Sequence, residues 1–309
     1  MVPLPSPQQL RYLIALAETR HFGRAALACA VTQSTLSAGL LTLERQLDAS
    51  ILDRSAGKHV VFTPLGQELV ERARSALAAL AAVTEAADAA RDPMSGPLRI
   101  GVIPTIGPFL LPRLMPALRE AFPRLKPWLR EDTTANLVNR LETAKLDVAV
   151  LALPCDCGGA DHAILARDEF LVALPPNHPL TGMDAVPTAA LASERLLLLE
   201  EGHCLREQAL AVCGLMASER GEAVDGFAAT SLHTLVQMVA SGLGVTLLPR
   251  IAVCARMLTG TEVVLRPLSG AGAWRTLGLA WRRNAPRAPE YRALGSKLGQ
   301  VCADLLGEV

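Results

Sequence analysis

One stretch of this sequence divides the chain before any motif is considered. Residues Leu65 to Arg91 contain no proline and are rich in alanine, which favours a single helix of roughly 40 Å at ~1.5 Å per residue. The segment "DPMSGP", Asp92 to Pro97, would end that helix and act as a hinge. Because 309 residues also exceed one ordinary domain, we expect separate modules on the two sides of this helix.

Apolar residues recur along the predicted helix at alternating spacings of four and three. Such a seam is typical of a coiled coil, and its small side chains would allow two helices to approach closely. The alternative is a helix that lies on its own domain. The seam consists of Leu69, Ala73, Ala76, Leu80, Val83, Ala87 and Ala90.

The residues before this helix carry the pattern of a winged helix-turn-helix. The segment "SPQQ" at residues 6–9 has the form of a capping box before a first helix, and Thr32 is placed to cap a third helix. The segment "RSAGKHVVFTPLG" then turns between β-prone stretches, as a wing does. The third helix would lie in the major groove of DNA, whereas the alternative is a small helical domain without a nucleic-acid role. One buried stripe of that helix is expected from Leu36, Leu40, Leu43 and Leu47.

The segment "HFGRAALACAVTQSTLSAGLLTLERQLDASILDR" resembles the DNA-binding domain of LysR-type transcriptional regulators. The resemblance implies promoter DNA with an interrupted dyad, a homodimer or dimer of dimers, and RNA polymerase as partners. The sequence departs from the family where Gly39, Leu41 and Thr42 replace residues that are often basic or amide-bearing. We therefore expect DNA contacts from Arg24, Thr32, Gln33, Ser34, Thr35, Ser37, Arg54 and Lys58.

The remaining two thirds alternate between strand and helix patterns, which predicts an α/β domain with a mainly parallel sheet. The segment "WRTLGLAWRR" would return the chain to the first lobe. The arrangement resembles the two-lobed, periplasmic-binding-protein-like effector domain of LysR regulators. The predicted modules are residues 1–64 (DNA-binding), 65–92 (linker helix), 93–97 (hinge) and 98–309 (effector domain), with lobe I at about 98–167 and 272–309 and lobe II at about 168–271.

Several classes of protein are disfavoured by what the sequence lacks. We find no signal peptide and no long apolar run, and seven thinly spread cysteines do not suggest a secreted disulfide scaffold, so we expect a cytoplasmic protein without membrane contact. A net charge of zero neither indicates nor excludes nucleic acid. The nucleotide-binding and hydrolase motifs GxGxxG, GxxxxGK[ST], HExxH and GxSxG do not occur. We therefore expect no enzyme, cofactor or metal.

The segment "EEGHCLREQALAVC" predicts a helix with Cys204 in its first turn and Cys213 at its far end. Exposed N–H groups at a helix start favour a thiolate, which attacks peroxide to leave a sulfenic acid that condenses with a second thiol. Nine residues of helix separate the cysteines by ~13 Å, whereas a disulfide needs Cα atoms within ~7 Å. Forming that disulfide would therefore unwind or bend the helix.

This segment and the chain as a whole resemble the hydrogen-peroxide-sensing members of the LysR family. The resemblance implies that Cys204 is the peroxide-reactive cysteine, that Cys213 is the resolving one, and that a cytosolic thiol reductant resets the signal. It places Thr105, Thr134 and His203 in the peroxide pocket. Arg206 lies close enough in sequence to polarise that pocket, and the supporting residues would be Asp147 and Arg275.

Two other functions stay open. One is a LysR regulator that responds to a small organic ligand, with incidental cysteines; the other is a thiol peroxidase, against which the DNA-binding pattern argues. Cys29, Cys254 and Cys302 lie in apolar helical contexts and are expected in the core. Cys155 and Cys157 in "PCDCGG" are expected in a loop, where a metal or auxiliary redox role is the alternative to an inert one.

Overall fold

The computed structural model describes residues 4–53, 60–91, 93–155, 157–214, 229–270 and 272–307. The chain separates into two compact units, residues 1–87 and 88–309. Among the described residues, no single helix is long and apolar enough to cross a membrane. One pair of helices joined at a sharp bend, Phe22–Ala28 and Gln33–Leu47, has sufficient length and apolar composition when the two are taken together.

The described residues of the first unit form α1 (Pro7–Thr19), α2 (Phe22–Ala28), α3 (Gln33–Leu47) and most of α4 (Pro64–Arg91), which ends four residues past the unit boundary. The predicted capping box is present, because the Ser6 side chain accepts from the Gln9 amide and the Gln9 side chain accepts from the Ser6 amide. Thr32 caps α3, as predicted, by accepting from the amide of Thr35. The α3 stripe is buried at Leu36, Leu40 and Leu43, and Leu47 is half-buried.

The predicted wing is described only at its two flanks. Leu52 and Phe62 form an antiparallel bridge, and the Asp53 amide donates to the Val61 carbonyl. These contacts bring the two ends of the segment together, as a hairpin requires. Residues 54–59, including Arg54 and Lys58, lie outside the described residues.

The second unit alternates strands and helices through its first half. The first strands and helices are β1 (Gly96–Val102), α5 (Gly107–Ala121), β2 (Leu125–Glu131), α6 (Thr134–Glu142), β3 (Val148–Leu153) and β4 (Asp161–Leu174). These are followed by β5 (Val186–Pro187), α7 (Cys204–Val212), α8 (Leu232–Ala240), β6 (Thr246–Pro249) and α9 (Arg250–Cys254). The last elements are β7 (Val264–Ser269), β8 (Trp274–Trp281) and α10 (Ala288–Gly307). Short 3-10 helices form at Pro179–Gly182 and Thr188–Ser193.

The strands of the second unit pair in the order β2-β1-β3-β8-β4-β7-β5, and β6 pairs with β4. The expectation of a mainly parallel sheet is wrong, because the sheet is mixed. Strands β1, β2 and β3 are parallel, whereas β8 pairs antiparallel with both β3 and β4, and β4 pairs antiparallel with β6 and β7. Strand β8, which contains most of the segment "WRTLGLAWRR", lies between β3 and β4 and is hydrogen-bonded to both.

Candidate redox site

The site begins with a tight turn that sets the start of α7. The amide of His203 donates to the Glu200 carbonyl over 3.4 Å, and Gly202 adopts a φ of +91°, a conformation that favours glycine. Cys204 is therefore the first residue of α7, and Cys213 caps the end of that helix. The prediction of one helix with a cysteine at each end is confirmed.

Both cysteines are thiols in this structure, and they differ in exposure. Cys204 is half-buried, whereas Cys213 is 7% exposed and packs in the core of the second unit. The N–H groups of the first turn of α7 have no partners within the helix, and such groups stabilise nearby negative charge. The geometry therefore gives Cys204, and not Cys213, both partial exposure and a position in the first turn of a helix.

Cys204 lines a small cavity together with the ends of two parallel strands. Thr105 follows β1, and Thr133 and Thr134 follow β2; the two strands end side by side because Val102 pairs with Glu131. The cavity is bounded by Ile103, Pro104, Thr105, Thr133, Thr134, Gly202, His203 and Cys204. Its volume of about 10 Å³ is enough for roughly one water-sized molecule.

Three of the predicted pocket residues are thus brought together with Cys204: Thr105, Thr134 and His203. His203 is the N-cap residue of α7, but its side chain makes no capping hydrogen bond. The Thr134 hydroxyl oxygen is buried and has no hydrogen-bond partner among the described residues. A buried hydroxyl without a partner is unusual, which makes Thr134 a candidate to bind a small polar molecule.

Arg275 lies behind this cavity and holds Thr105. Its guanidinium is fully buried and donates to the Thr105 hydroxyl oxygen (2.9 Å), the Thr105 carbonyl (2.9 Å) and the Asp168 carboxylate (2.9 Å). Because the Thr105 oxygen accepts from Arg275, the Thr105 hydroxyl hydrogen is left to donate elsewhere. Burial raises the pKa of Asp168, and the neighbouring Arg275 and the Ile251 amide oppose that rise.

Like Arg275, the predicted pocket residues Arg206 and Asp147 line no part of the cavity. Arg206 donates to the Leu199 carbonyl over 3.1 Å, which ties α7 to the segment before it. Asp147 precedes β3 and accepts from the backbone amide and the guanidinium of Arg99. Asp147 therefore lies at the amino end of β3, whereas the cavity lies beyond the carboxyl end of β1, the strand to which β3 runs parallel.

The sequence pattern missed two aspartates that organise the site. Asp168 is the buried partner of Arg275 on the neighbouring strand, and only the β4–β8 register, which pairs these two residues, reveals it. Asp132 accepts from the Thr133 amide (3.0 Å) and the Asn136 side chain (2.6 Å) at the start of α6. Burial acts to raise the pKa of Asp132, but hydrogen bonds from Asn136, Arg130 and Thr133 outweigh it and lower that pKa.

The remaining thiols are chemically unlike an activated cysteine. Burial raises the pKa of Cys29 and Cys254, and it raises the pKa of Cys302 to about 12. These groups are therefore thiols near neutral pH. Cys155 and Cys157 form a disulfide in the connection between β3 and β4. Among the described residues, no three His, Cys, Asp or Glu side chains are grouped as metal ligands.

The predicted DNA-contacting residues outside the wing lie on α2 and around the start of α3. Gln33, Ser34 and Thr35 are exposed and Ser37 is half-buried, whereas the Thr32 hydroxyl is engaged with Ser34, Thr35 and the Thr35 amide. Arg24 is exposed and donates to the Thr19 carbonyl.

Family models match both units of the chain. Residues 7–67 match the model described as bacterial regulatory helix-turn-helix protein, lysR family, and residues 91–303 match the LysR substrate binding domain. The chain belongs to the LysR family. The predicted fold class, a helical DNA-binding module followed by an α/β effector domain, is confirmed by these matches.

Individual LysR relatives narrow the similarity further. The chain is 42% identical over 292 residues to the DNA-binding transcriptional dual regulator OxyR of Escherichia coli K12, covering 94% of each chain. It is 40% identical over 305 residues to a probable hydrogen peroxide-inducible genes activator of Streptomyces viridosporus, covering 97% of this chain and 96% of that one.

Solved structures show the same relationship. A full-length OxyR cysteine variant from Pseudomonas aeruginosa matches with a TM-score of 0.74 and 35% identity over 96% of this chain and 98% of that chain. A hydrogen-peroxide-bound OxyR cysteine mutant from Corynebacterium glutamicum matches with a TM-score of 0.67 and 32% identity over 100% of this chain and 96% of that one. The resemblance to peroxide-sensing LysR members is therefore confirmed.

Proposed function

We propose that this LysR protein is an OxyR-like transcriptional regulator that senses hydrogen peroxide through Cys204 and Cys213. The cavity carries the proposal, because it joins a half-buried thiol at a helix start to a buried threonine hydroxyl that lacks a partner among the described residues. Relatives named as hydrogen peroxide-inducible genes activators support it.

In the proposed reaction, the Cys204 thiolate attacks one peroxide oxygen, the O–O bond breaks, and the leaving hydroxide takes a proton to become water. Thr134 and Thr105 have hydroxyl hydrogens to donate to the peroxide oxygens, and Arg275 fixes the direction of the Thr105 hydroxyl. The sulfenic acid on Cys204 then condenses with the Cys213 thiol, forming the disulfide and releasing a second water. A thiol reductant returns both residues to thiols and completes the cycle.

The cavity beside Cys204 is too small for a typical organic ligand. A typical organic ligand needs a pocket of roughly 300 Å³ or more, whereas the cavity beside Cys204 measures about 10 Å³. Sustained thiol peroxidase turnover would require rapid re-reduction of Cys204. Because Cys213 packs in the core, forming a disulfide between Cys204 and Cys213 would instead require a change of structure in each oxidation event.

We also propose that the protein acts on promoter DNA as a homodimer or a dimer of dimers, with RNA polymerase as a further partner, in the reducing cytoplasm. The α4 seam supports the dimer: Ala73 is buried against the first unit, whereas Leu80 and Val83 are 48% and 70% exposed. Exposed apolar residues that continue a heptad seam are what a partner helix would cover. Gln33, Ser34 and Thr35 would face an interrupted dyad in DNA.

The decisive experiment treats the reduced chain with one equivalent of hydrogen peroxide and maps its cysteines by mass spectrometry. We expect a Cys204–Cys213 disulfide in the unmodified protein, a trapped sulfenic acid at Cys204 in Cys213→Ser, and no reaction at Cys213 in Cys204→Ser. A Cys204→Ser protein that still changes its transcriptional output on peroxide treatment would refute the proposal.

A further inference from the structure

Cys155 and Cys157 lie in a connection that the proposed sensing reaction does not use. This connection, residues 154–160, joins the end of β3 to the start of β4. Both strands pair with β8, and Trp281 is opposite Val148 at the start of β3 and also opposite Asp161 at the start of β4. The two ends of this connection therefore lie on opposite sides of β8 and about one strand length apart, and we call residues 154–160 the crossover segment.

The disulfide in the crossover segment is expected to contribute little to the stability of the fold. A disulfide stabilises chiefly by closing a long loop in the unfolded chain, and these two cysteines are separated by only two positions. The bond therefore closes a very short loop and constrains the unfolded chain little.

Both cysteines are half-buried, so an external thiolate can reach a sulfur while the side chains still pack on the core. Neither residue lines the cavity of Cys204, and neither begins a helix. The pair therefore has the access that thiol–disulfide exchange needs, without the hydroxyl donors and helix N-terminus that favour attack on peroxide.

A metal site is the other chemistry open to two neighbouring cysteines. Structural zinc takes four protein ligands, and in the part of the chain that the structure describes no third His, Cys, Asp or Glu joins the pair. The Glu142 carboxylate does approach Gly158 in the crossover segment, but it is not grouped with the two sulfurs as a ligand set. Because the two cysteines are joined as a disulfide, thiol–disulfide exchange fits them better than metal binding does.

We propose that Cys155 and Cys157 form a second thiol–disulfide couple, which exchanges with small thiols or protein dithiols and is chemically separate from Cys204 and Cys213. A thiolate of the reductant attacks one sulfur, breaks the Cys155–Cys157 bond and forms a mixed disulfide. A second reductant thiol displaces the remaining protein sulfur. Two reductant thiols are oxidised to one disulfide, and Cys155 and Cys157 gain two electrons and two protons.

The test uses the full chain equilibrated in buffers of graded glutathione to glutathione disulfide ratio, followed by alkylation and tryptic digestion. Residues 146–167 form one tryptic peptide whose only cysteines are Cys155 and Cys157, whereas Cys204 and Cys213 fall in peptides 196–206 and 207–220. We expect peptide 146–167 to convert reversibly between a dialkylated form and a form lighter by two hydrogens that carries no alkyl group.

Two variants separate this couple from the peroxide sensor. In Cys204→Ser the midpoint of the 146–167 conversion should be unchanged, and in the double variant Cys155→Ser with Cys157→Ser the peroxide rate at Cys204 should be unchanged. In Cys157→Ser, Cys155 should accumulate as a mixed disulfide with glutathione. Failure of the sensing proposal would alter only the Cys204 and Cys213 peptides, so the two results are distinguishable.

Three outcomes would overturn the proposal. The first is that peptide 146–167 stays dialkylated in every buffer. The second is that its disulfide forms only in chains that retain Cys204. The third is that the reduced chain binds zinc or copper(I) at one equivalent and loses that metal in the Cys155→Ser, Cys157→Ser variant. The last result would assign the pair to metal binding instead.

Discussion

At the scale of single residues, replacing Thr134 should slow the peroxide reaction without lowering the stability of the fold. Its hydroxyl oxygen is buried without a partner among the described residues, so a valine of similar shape should leave the free energy of unfolding unchanged or raise it. The same Thr134→Val change should slow peroxide oxidation of Cys204 on the order of tenfold, because one hydrogen bond to the peroxide is lost.

Stopped-flow oxidation and iodoacetamide alkylation of the Thr134→Val protein measure the two reactions side by side. Alkylation of Cys204 should be unaffected, since the hydroxyl serves the peroxide and not the thiolate. Thr134→Ser is the matched control and should retain most of the peroxide rate. Equal slowing of both reactions would mean that Thr134 acts on the thiol itself.

Thr105 should behave differently, although it lines the same cavity. It is 2% exposed, and its hydroxyl oxygen accepts from the buried Arg275. Thr105→Val leaves one donor of that guanidinium without its partner, which should lower the free energy of unfolding by about 1–3 kcal/mol. Urea denaturation measures this loss, and Thr105→Ser should show little of it. A Thr105→Val protein as stable as the unmodified chain would contradict the role assigned to Arg275.

At the scale of secondary-structure elements, Asp132 anchors the start of α6 and so positions Thr134. The Asp132→Ala change removes the acceptor of the Thr133 amide and the Asn136 side chain. It should lower the free energy of unfolding by about 1–2 kcal/mol near neutral pH. Because the folded-state pKa of Asp132 is lowered, its stabilisation is fully present above the unfolded value of ~3.9 and is lost as the pH falls through the folded pKa.

Urea denaturation at a series of pH values tests this sign. The difference in unfolding free energy between the unmodified chain and Asp132→Ala should be constant from neutral pH to about 5 and shrink below about 4. Asp304→Ala, at an exposed aspartate of α10, is the control. A difference that grows on acidification would mean that the protonated form of Asp132 is the stabilising one.

Elements encoded by local patterns were predictable from the sequence, and those set by strand pairing were not. The capping box at Ser6, the Thr32 cap and the helix between Cys204 and Cys213 follow from residues within one turn of each other. The mixed sheet and the Asp168–Arg275 pair depend on which side of β8 packs against β4, more than 100 residues away along the chain. The placement of Asp147 likewise depends on its pairing with Arg99.

At the scale of the whole molecule, the first unit should carry sequence-specific DNA binding. Gln33 is exposed at the start of α3, and Gln33→Ala should weaken operator affinity by about 1–3 kcal/mol if its amide reads a base edge. Affinity for any DNA should fall as salt rises, because phosphate contacts release counterions. Footprinting across a salt series tests both effects, with Gln67→Ala on α4 as the control. An equal loss of operator affinity in the two variants would show that Gln33 does not read a base.

The central claim is that a local oxidation remodels the molecule, because the Cys204–Cys213 bond and an intact α7 exclude each other. Nine residues of helix hold the two Cα atoms ~13 Å apart, about twice the reach of a disulfide. A peroxide-oxidised Cys213→Ser protein carries sulfenic acid at Cys204 without that constraint, so it isolates the effect of the bond.

Amide hydrogen exchange of residues 204–213, measured on reduced, oxidised and oxidised Cys213→Ser proteins bound to operator DNA, tests this claim most directly. The disulfide form should lose the protection of α7 and shift its footprint, whereas the Cys213→Ser protein should keep both as in the reduced state. A chain with a verified Cys204–Cys213 disulfide, an equally protected 204–213 segment and an unchanged footprint would contradict the account.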